Sequence, residues 1–177
     1  MTDINIVGKF EKVSYDQFAA AMNDLPFYTN DEEMKKLYDE LKLPKRATKG
    51  SAGYDFFAPF GFGLAPGQTI KFPTGIRVKI EEGWYLACYP RSGLGFKYRL
   101  QLDNTVGIID SDYYYSDNEG QIFVKLTNDT RAKKAVNVSK GEGFMQGIFT
   151  QFGITLDDDA TDIRNGGFGS TTKSNNE

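Results

Sequence analysis

The sequence has no histidine and one cysteine, Cys88, among its 177 residues. Without an imidazole the chain cannot form a Ser–His–Asp or Cys–His catalytic centre, use a histidine as a general base, or build a zinc site of the usual histidine and cysteine kind. One cysteine cannot form an internal disulfide, which fits a reducing compartment. Any chemistry must therefore come from carboxylates, hydroxyls, lysine, arginine or a metal ion that a ligand brings.

Long apolar runs and a strong net charge are also absent. The sequence has no apolar stretch of the ~18 residues that a membrane-spanning helix needs, and its first residues lack the basic and then apolar pattern of a signal peptide. The net charge of -3 argues against a general nucleic-acid surface. With 40% hydrophobic residues, we expect one folded domain over residues 1–177, located in the cytoplasm.

The N-terminal quarter differs in pattern from the rest of the chain. Residues 4–13 predict a short strand, and residues 14–43 predict a helical appendage. Capping signatures at residues 14–17 and 30–33 begin its two helices. The second signature leads into apolar residues at the i, i+3, i+4, i+7 spacing of one helix face, before Pro44 ends the helix.

From residue 50 onward, short apolar and aromatic runs alternate with glycine, proline, asparagine and aspartate. The candidate strands are 54–58, 68–76, 77–80, 84–90, 100–104, 120–128, 135–140 and 144–152. Their regular spacing predicts a mainly β fold, a compact antiparallel jelly-roll-like β-barrel. Residues 157–177 are glycine-rich and polar, and predict a flexible C-terminal arm that orders when a ligand binds.

Residues 90–95 directly follow an apolar strand and carry Arg91 and Ser92 in a glycine-rich stretch. Backbone N–H groups, a hydroxyl and a guanidinium in one turn can bind a phosphate. A plain tight turn with a solvated arginine is an equally good interpretation of this segment alone.

Residues 103–113 carry two aspartates, Asp110 and Asp112. Two apolar residues place Asp110 at the end of a buried strand, where a carboxylate can orient and deprotonate a water molecule. The two carboxylates could instead bind a divalent metal. In the commoner arrangement for this pattern they cap the amides of a turn.

Two later segments are weaker signals. In residues 166–172, Phe168 stands between glycines in a polar tail, available to stack on a ligand ring, and hydroxyls follow it. No lysine of a Walker loop follows, and a disordered tail is the simpler interpretation. Residues 141–146 place the amide of Gln146 at the start of an apolar strand, which also fits an ordinary turn.

In this order, the segments resemble the five motifs of the trimeric deoxyuridine triphosphate nucleotidohydrolases, the dUTPases. The resemblance covers about residues 43–172. The stretches similar to the motifs are residues 52–55, 90–97, 103–113, 141–146 and 164–171.

The resemblance implies Mg²⁺-dependent hydrolysis of dUTP between the α and β phosphates, which yields dUMP and pyrophosphate, limits uracil in DNA and supplies dUMP for thymidylate synthesis. Asp110 matches the residue that activates the attacking water, and Asp55 matches a supporting position. The positions that match substrate-binding residues are Arg91, Ser92, Gly93, Asn104, Gly107, Ile109, Tyr113, Gln146, Arg164, Phe168, Gly169, Ser170 and Thr171.

Among these, Asn104 matches the residue that reads the uracil edge, Tyr113 the aromatic residue under the deoxyribose, and Phe168 the ring that stacks over uracil. In the family the magnesium is carried mainly by the triphosphate, so the resemblance implies no protein metal ligands. It further implies a homotrimer with sites shared between subunits, no membrane association and no direct nucleic-acid binding.

The chain departs from the family pattern in several places. The expected arm arginine is Ile163, with Arg164 one residue later, and Gly143 replaces another arginine. Residues 114–119 form a small aromatic and acidic insertion. Together with the appendage, these changes suggest a phage or Gram-positive bacterial member, acting in the host cytoplasm if phage-encoded.

Three alternatives stand beside this hypothesis. One is an enzyme related to the dCTP deaminases. The second is a regulatory protein that keeps the fold and responds to nucleotide occupancy by binding a protein partner, for which the appendage and the insertion are the relevant features. The third is a carbohydrate-binding or capsid-like β-sandwich, which leaves the ordered phosphate-type loops unexplained.

Overall fold

A computed structural model describes residues 5–23, 25 and 30–162 of the chain. Strands dominate it, so the predicted mainly β class is confirmed. The elements are, in order, β1 (Gly8–Lys12), α1 (Tyr15–Asn23), α2 (Asp31–Asp39), β2 (Lys45–Arg46), β3 (Tyr54–Phe57), β4 (Phe62–Leu64), β5 (Thr69–Pro73), β6 (Ile76–Ile80), β7 (Trp84–Pro90), α3 (Ser92–Tyr98), β8 (Leu100–Leu102), β9 (Gly107–Ile109), a 3₁₀ helix (Ser111–Tyr115), β10 (Phe123–Asn128), β11 (Val136–Val138) and β12 (Gly143–Gln151).

The strands of the described residues form four antiparallel sheets. The largest has the order β2-β3-β12-β7-β9, a second has the order β5-β10-β8, and β1 pairs with β6 while β11 pairs with β4. Most neighbouring strands are not consecutive in sequence, which is the connectivity expected of a jelly roll. The sheets enclose one contiguous core, whose largest fully buried side chains include Phe56, Phe72, Phe144 and Leu86.

The chain turns sharply between β5 and β6, where a single strand was predicted over residues 68–76. Gly75 has a φ of 73°, in the left-handed region that glycine adopts without strain. A Cβ at this position would lie 2.5 Å from the Leu41 side chain and 3.0 Å from Phe18. Gly75 therefore both makes the turn and lets the appendage approach the sheets closely.

The predicted helical appendage contains α1 and α2, which bury a second apolar cluster of Val13, Phe18, Met22, Met34 and Leu41. The side chain of Asn30 caps α2 by accepting a hydrogen bond from the Glu33 amide at 2.9 Å. The partly buried Leu25 and Phe60 pack against both this cluster and the main core. The appendage is thus packed against the β sheets through apolar contacts.

The glycine-rich segment after β7, predicted as a turn, is instead the short helix α3. Gly95 N–H donates to the Arg91 carbonyl at 2.8 Å, and Arg99 N–H donates to the Gly95 carbonyl at 2.8 Å. Arg99 then ends the helix in the left-handed conformation, with a φ of 48°. Glycine has a low helix propensity, so the sequence favoured a turn where the fold provides a helix.

Candidate active site

Arg91 lies at the end of β7 and is held by two partners. Its Nε forms an ion pair with Asp55 Oδ1 at 3.0 Å, and its Nη1 donates a hydrogen bond to the Gly143 carbonyl at 2.9 Å. Gln146 pairs with Asp55 across β12 and β3, and its Nε2 donates to the Pro90 carbonyl at 3.2 Å. We call Asp55, Arg91 and Gln146 the phosphate-side cluster, since its guanidinium and amide suit an anionic ligand.

Ser92 and Gly93 begin α3 directly beside this cluster, and both are exposed. The first N–H groups of a helix have no intrahelical acceptor, so the amides of these residues are not used by α3 itself. The predicted residues of the first, second and fourth motifs, Asp55, Arg91, Ser92, Gly93 and Gln146, therefore lie together in one chain.

Asn104 lies in the turn between β8 and β9. The two strands do not pair with each other: β8 pairs with β10 and β9 pairs with β7. The turn instead joins two sheets, with Thr105 in the left-handed region at a φ of 66°. Because its flanking strands belong to different sheets, the turn lies against a space between the sheets.

That space is a cavity of about 500 Å³, within the range of roughly 300–1,000 Å³ typical of ligand pockets. Its walls are mostly apolar and include Cys88, Gly107, Ile109 and Met145, while Asn104 contributes an amide. The remaining lining residues are Lys71, Leu102, Asp103, Ile122, Phe123, Val124 and Lys125. A flat ring with a polar edge would match an apolar cavity that carries one amide.

The charged residues Asp103 and Lys125 line the cavity and were not among the predicted site residues. They form an ion pair at 3.0 Å, and the Thr127 hydroxyl donates to Asp103 at 2.5 Å. Burial raises the pKa of the Asp103 carboxyl, but the hydrogen bonds from Thr127 and Lys125 outweigh it and hold that pKa below its usual value. The alternation along β10 places Lys125 and Thr127 on one face, yet the sequence does not reveal their partner across the sheet.

Cys88 is buried in the main core, as its position in an apolar strand predicted. Burial raises the pKa of its thiol to about 12, so the thiol remains protonated and unreactive at neutral pH. Its contribution to the cavity is therefore that of a small apolar wall residue.

Asp110 directly follows β9, at the end of a strand whose Ile109 is buried. It occupies the first position before the 3₁₀ helix in extended backbone geometry, with φ -78° and ψ 158°. Its carbonyl accepts a hydrogen bond from the Tyr113 amide at 3.2 Å. Tyr113 is 4% exposed, and its hydroxyl donates to the Gln121 carbonyl at 2.7 Å.

The strand register separates Asp110 from the phosphate-side cluster. Ile109 lies opposite Leu86 on β7, so Asp110 is level with about Tyr85, whereas Arg91 follows the far end of the same strand. Six residues of extended strand span about 20 Å. One chain therefore brings Asp55, Arg91 and Gln146 together, and holds Asp110 at the opposite end of the sheet.

Other expected residues cannot be located in this way. Arg164, Phe168, Gly169, Ser170 and Thr171 lie outside the described residues, as does most of the predicted arm.

In the part of the chain that is described, no group of three or more histidine, cysteine, aspartate or glutamate side chains could hold a metal ion. Nor does any helix among residues 5–23 and 30–162 have the length and apolar character to cross a membrane.

Comparison with known proteins identifies the family. The dUTPase family model matches residues 39–172, more than half of the chain, and the chain therefore belongs to the dUTPase family. A deoxyuridine 5'-triphosphate nucleotidohydrolase from Lactococcus lactis is 41% identical over 134 residues, which cover 74% of this chain and 88% of that protein.

Solved structures of other dUTPases share the fold of this chain. The dUTPase from Streptococcus mutans matches with a TM-score of 0.61 and 32% identity, covering 84% of this chain and 98% of that chain. The dUTPase from phage phi11 of S. aureus, a protein that coordinates a structural Mg(II) ion, shares the fold with a TM-score of 0.54 at 19% identity, over 68% of this chain and 90% of that chain. The expected resemblance, including its Gram-positive and phage relatives, is confirmed.

Proposed function

We propose that this protein hydrolyses dUTP to dUMP and pyrophosphate, and so limits uracil in DNA while supplying dUMP for thymidylate synthesis. The observation that carries the proposal is the position of Asp110, directly after a strand that lines an apolar cavity with an amide at its edge. Family membership and a 41% identical dUTP nucleotidohydrolase support the choice of substrate.

In the proposed reaction, the Asp110 carboxylate orients a water molecule and takes one of its protons. The water oxygen forms a bond to the α-phosphorus, the bond from that phosphorus to the α–β bridging oxygen breaks, and pyrophosphate leaves. Because a carboxylate is a weak base, most of the acceleration must come from positioning and from neutralisation of the phosphate charge.

Arg91 supplies part of that neutralising charge. Its ion pair with Asp55 and its hydrogen bond to the Gly143 carbonyl hold the guanidinium in one orientation before substrate binds. A guanidinium that is already oriented loses less conformational entropy when it binds a phosphate. Ser92, Gly93 and Gln146 complete this phosphate-binding region, and Asp55 acts as the supporting residue.

The remaining positive charge comes with the substrate, as Mg²⁺ bound to the triphosphate. The absence of a cage of protein ligands among residues 5–23, 25 and 30–162 is compatible with a metal held by phosphate oxygens and water. In this proposal Mg·dUTP is the substrate, and the protein binds the phosphates rather than the metal.

The cavity is proposed to hold the uracil ring. The Asn104 amide can pair with the polar edge of uracil, while Gly107 and Ile109 supply the close apolar wall. An amide that pairs with the polar edge of uracil leaves hydrogen-bonding groups unpaired against cytosine, and the close wall at Gly107 is proposed to exclude the methyl group of thymine. Tyr113 is proposed to pack beneath the deoxyribose.

A complete site requires more than one copy of the chain. Asp110 and Arg91 lie at opposite ends of one sheet, about 20 Å apart by strand geometry, so a single triphosphate needs these residues from different copies. This separation supports sites shared between copies, and the resemblance to the trimeric dUTPases supplies the number of copies, so we propose a homotrimer with three shared sites. The arm residues Arg164, Phe168, Gly169, Ser170 and Thr171 are proposed to close over the bound nucleotide.

We further propose that residues 1–177 form a single domain that acts in the cytoplasm, where its nucleotide substrate is found. The unpaired, buried Cys88 is compatible with a reducing compartment.

A pyrophosphate-release assay tests the function. We expect release from dUTP with Mg²⁺, little release from dTTP, dCTP or UTP, and a loss of about 10²–10⁴-fold in kcat for Asp110→Asn with dUTP binding retained. Product analysis with dCTP separates the alternatives. Formation of dUTP or dUMP from dCTP would indicate a deaminase, and a wild-type protein that binds dUTP without turnover would indicate a regulatory binding protein.

A further inference from the structure

The two unusual segments of this chain, the appendage and the insertion at residues 114–119, contact each other. The Glu119 carboxylate accepts hydrogen bonds from the Ser14 amide at 2.7 Å and from the Ser14 hydroxyl at 2.6 Å. The Ser14 hydroxyl also accepts from the Gln17 amide at 3.2 Å and so caps α1. In a usual capping box, the side chain of the third helical residue accepts the hydrogen bond from the amide of the cap residue. Here the acceptor is the Glu119 carboxylate, 105 residues away in the sequence.

A second contact joins the insertion to the N-terminal strand. The Tyr114 hydroxyl donates to Glu11 Oε2 at 2.6 Å, and the Arg77 guanidinium lies 4.5 Å from the centre of the Tyr114 ring. Arg77 also approaches Glu11 to 3.4 Å. Strands β1 and β6, which carry Glu11 and Arg77 as register partners, thus fix the residue immediately after Tyr113.

A third set of bonds connects the insertion to Tyr113 itself. Asn118 Nδ2 donates to the Tyr113 hydroxyl at 2.8 Å, while Asn118 Oδ1 accepts from the Gly120 amide at 3.1 Å. Glu119 and Gly120 both have positive φ, 57° and 68°. A Cβ on Gly120 would lie 2.7 Å from the Tyr113 carbonyl, so the tight return of the chain needs glycine at this position.

We propose that Ser14, Tyr114, Asn118 and Glu119 form a positioning clamp that holds the 3₁₀ segment between Asp110 and Tyr113 in the geometry needed for catalysis. The inference rests on the proposed function and extends it to residues outside the family motifs. In this proposal the four residues do not contact the substrate. They act in two ways. Asn118 orients the Tyr113 hydroxyl, and the other contacts hold the backbone that connects Tyr113 to Asp110.

The physical reason for such a clamp lies in the insertion. A longer loop after Tyr113 has more conformational freedom than a tight turn. A displacement of about 1 Å at a reacting group can cost about 10²-fold in rate. Anchoring the loop at Glu119, Tyr114 and Asn118 removes that freedom, and the Glu119 carboxylate is further stabilised near the positive N-terminal end of α1.

The test compares Ser14→Ala, Glu119→Gln and Asn118→Asp with the control Glu82→Gln, which changes an exposed carboxylate in the turn between β6 and β7. The measurements are kcat and KM for Mg·dUTP and the Tm of each full-length protein. We expect each clamp variant to lower kcat about tenfold with less than a twofold change in KM. Ser14→Thr, which keeps the capping hydroxyl, should restore kcat, and Glu82→Gln should match the wild type.

Asn118→Asp keeps the acceptor for the Gly120 amide and loses the donor to Tyr113. Tyr113→Phe removes the hydroxyl that accepts this hydrogen bond. The variant that combines Asn118→Asp with Tyr113→Phe should therefore have a kcat no lower than that of the slower single variant. If Glu119→Gln unfolds the protein, Ser14→Ala and Asn118→Asp decide the question, because both leave the Glu119 carboxylate in place.

The outcomes separate the two proposals. A wild-type protein that does not hydrolyse dUTP contradicts the proposed function. An active wild type with unchanged kcat in Ser14→Ala and Asn118→Asp, or with kcat losses that only follow a lower Tm and are not restored by Ser14→Thr, overturns the clamp while leaving the dUTPase function in place.

Discussion

The absence of a side chain at Gly143 leaves room for the Arg91 guanidinium in the proposed phosphate-binding region. Gly143 stands where the resemblance to the dUTPase motifs leads us to expect an arginine, and a Cβ at Gly143 would lie 2.6 Å from Arg91 Nη1. The space that a larger residue would fill is used by the guanidinium, which donates to the Gly143 carbonyl itself. This departure from the family pattern is thus compatible with a firmly held Arg91.

Gly107 allows a direct test of the cavity at the level of one methyl group. Its Cβ would lie 3.2 Å from Cys88 Cβ and 3.6 Å from Asn104 Nδ2, in the wall of the proposed uracil site. We expect Gly107→Ala to raise KM for dUTP by at least about tenfold, with a small change in Tm. Steady-state kinetics and thermal unfolding measure the two effects.

Gly50→Ala is the matched control, because a Cβ at Gly50 meets nothing within 4 Å. An unchanged KM in Gly107→Ala would show that the nucleotide base does not bind in this cavity.

At the level of helices and strands, the clamp makes the packing of the N-terminal segment dependent on pH. Burial raises the pKa of Glu119, but the two hydrogen bonds from Ser14 and the charge of Arg77 outweigh it, so this pKa lies below its ordinary value of 4.5. Hydrogen bonds from Lys9 and Tyr114 lower the pKa of Glu11 in the same way. The stabilisation by a carboxylate of lowered pKa is present above its unfolded-state pKa, and is lost as pH falls through the folded-state pKa.

We therefore expect the Tm of the wild type to fall more steeply than that of Glu119→Gln as pH decreases below about 4.5. Between pH 6 and 8 the carboxylates of Glu11 and Glu119, whose pKa values are lowered, stay ionised, and the chain has no histidine to titrate in that range. Thermal unfolding from pH 3 to pH 8 measures the difference. Parallel curves for the two proteins would mean that the Glu119 contact contributes nothing to the acid sensitivity.

Local sequence patterns predicted helices and strands correctly where short-range contacts determine the structure. The capping signature at Ser14 was correct for the bond to Gln17, and the strand before Asp110 was correct as well. The partner of the Ser14 amide could not be predicted, since Glu119 is 105 residues away. The helix α3 was missed because its glycines favour a turn, and tertiary packing overrides a weak local preference.

At the level of the whole molecule, the separation of Asp110 from Arg91 predicts complementation between inactive variants. Asp110→Asn and Arg91→Ala should each be inactive alone. After subunit exchange between them, about one quarter of the shared sites in a randomly mixed assembly combine an intact Asp110 with an intact Arg91. We expect dUTP hydrolysis to return to that extent, measured by pyrophosphate release.

The control mixes Asp110→Asn with Asn104→Ala. These residues flank the same strand, β9, so one copy should supply both to a site and no mixed site would be intact. Recovery in this control, or none in the first mixture despite demonstrated exchange, would contradict a site shared in this way.

The contact between Ser14 and Glu119 also bears on the order in which the chain folds. The N-terminal segment leaves the ribosome first, yet β1 needs β6 as its partner and Ser14 needs a residue 105 positions later. At typical rates of synthesis that interval is about 5–20 s. The pairing of β1 and the Ser14 contact therefore cannot be completed until the chain has been made as far as Glu119.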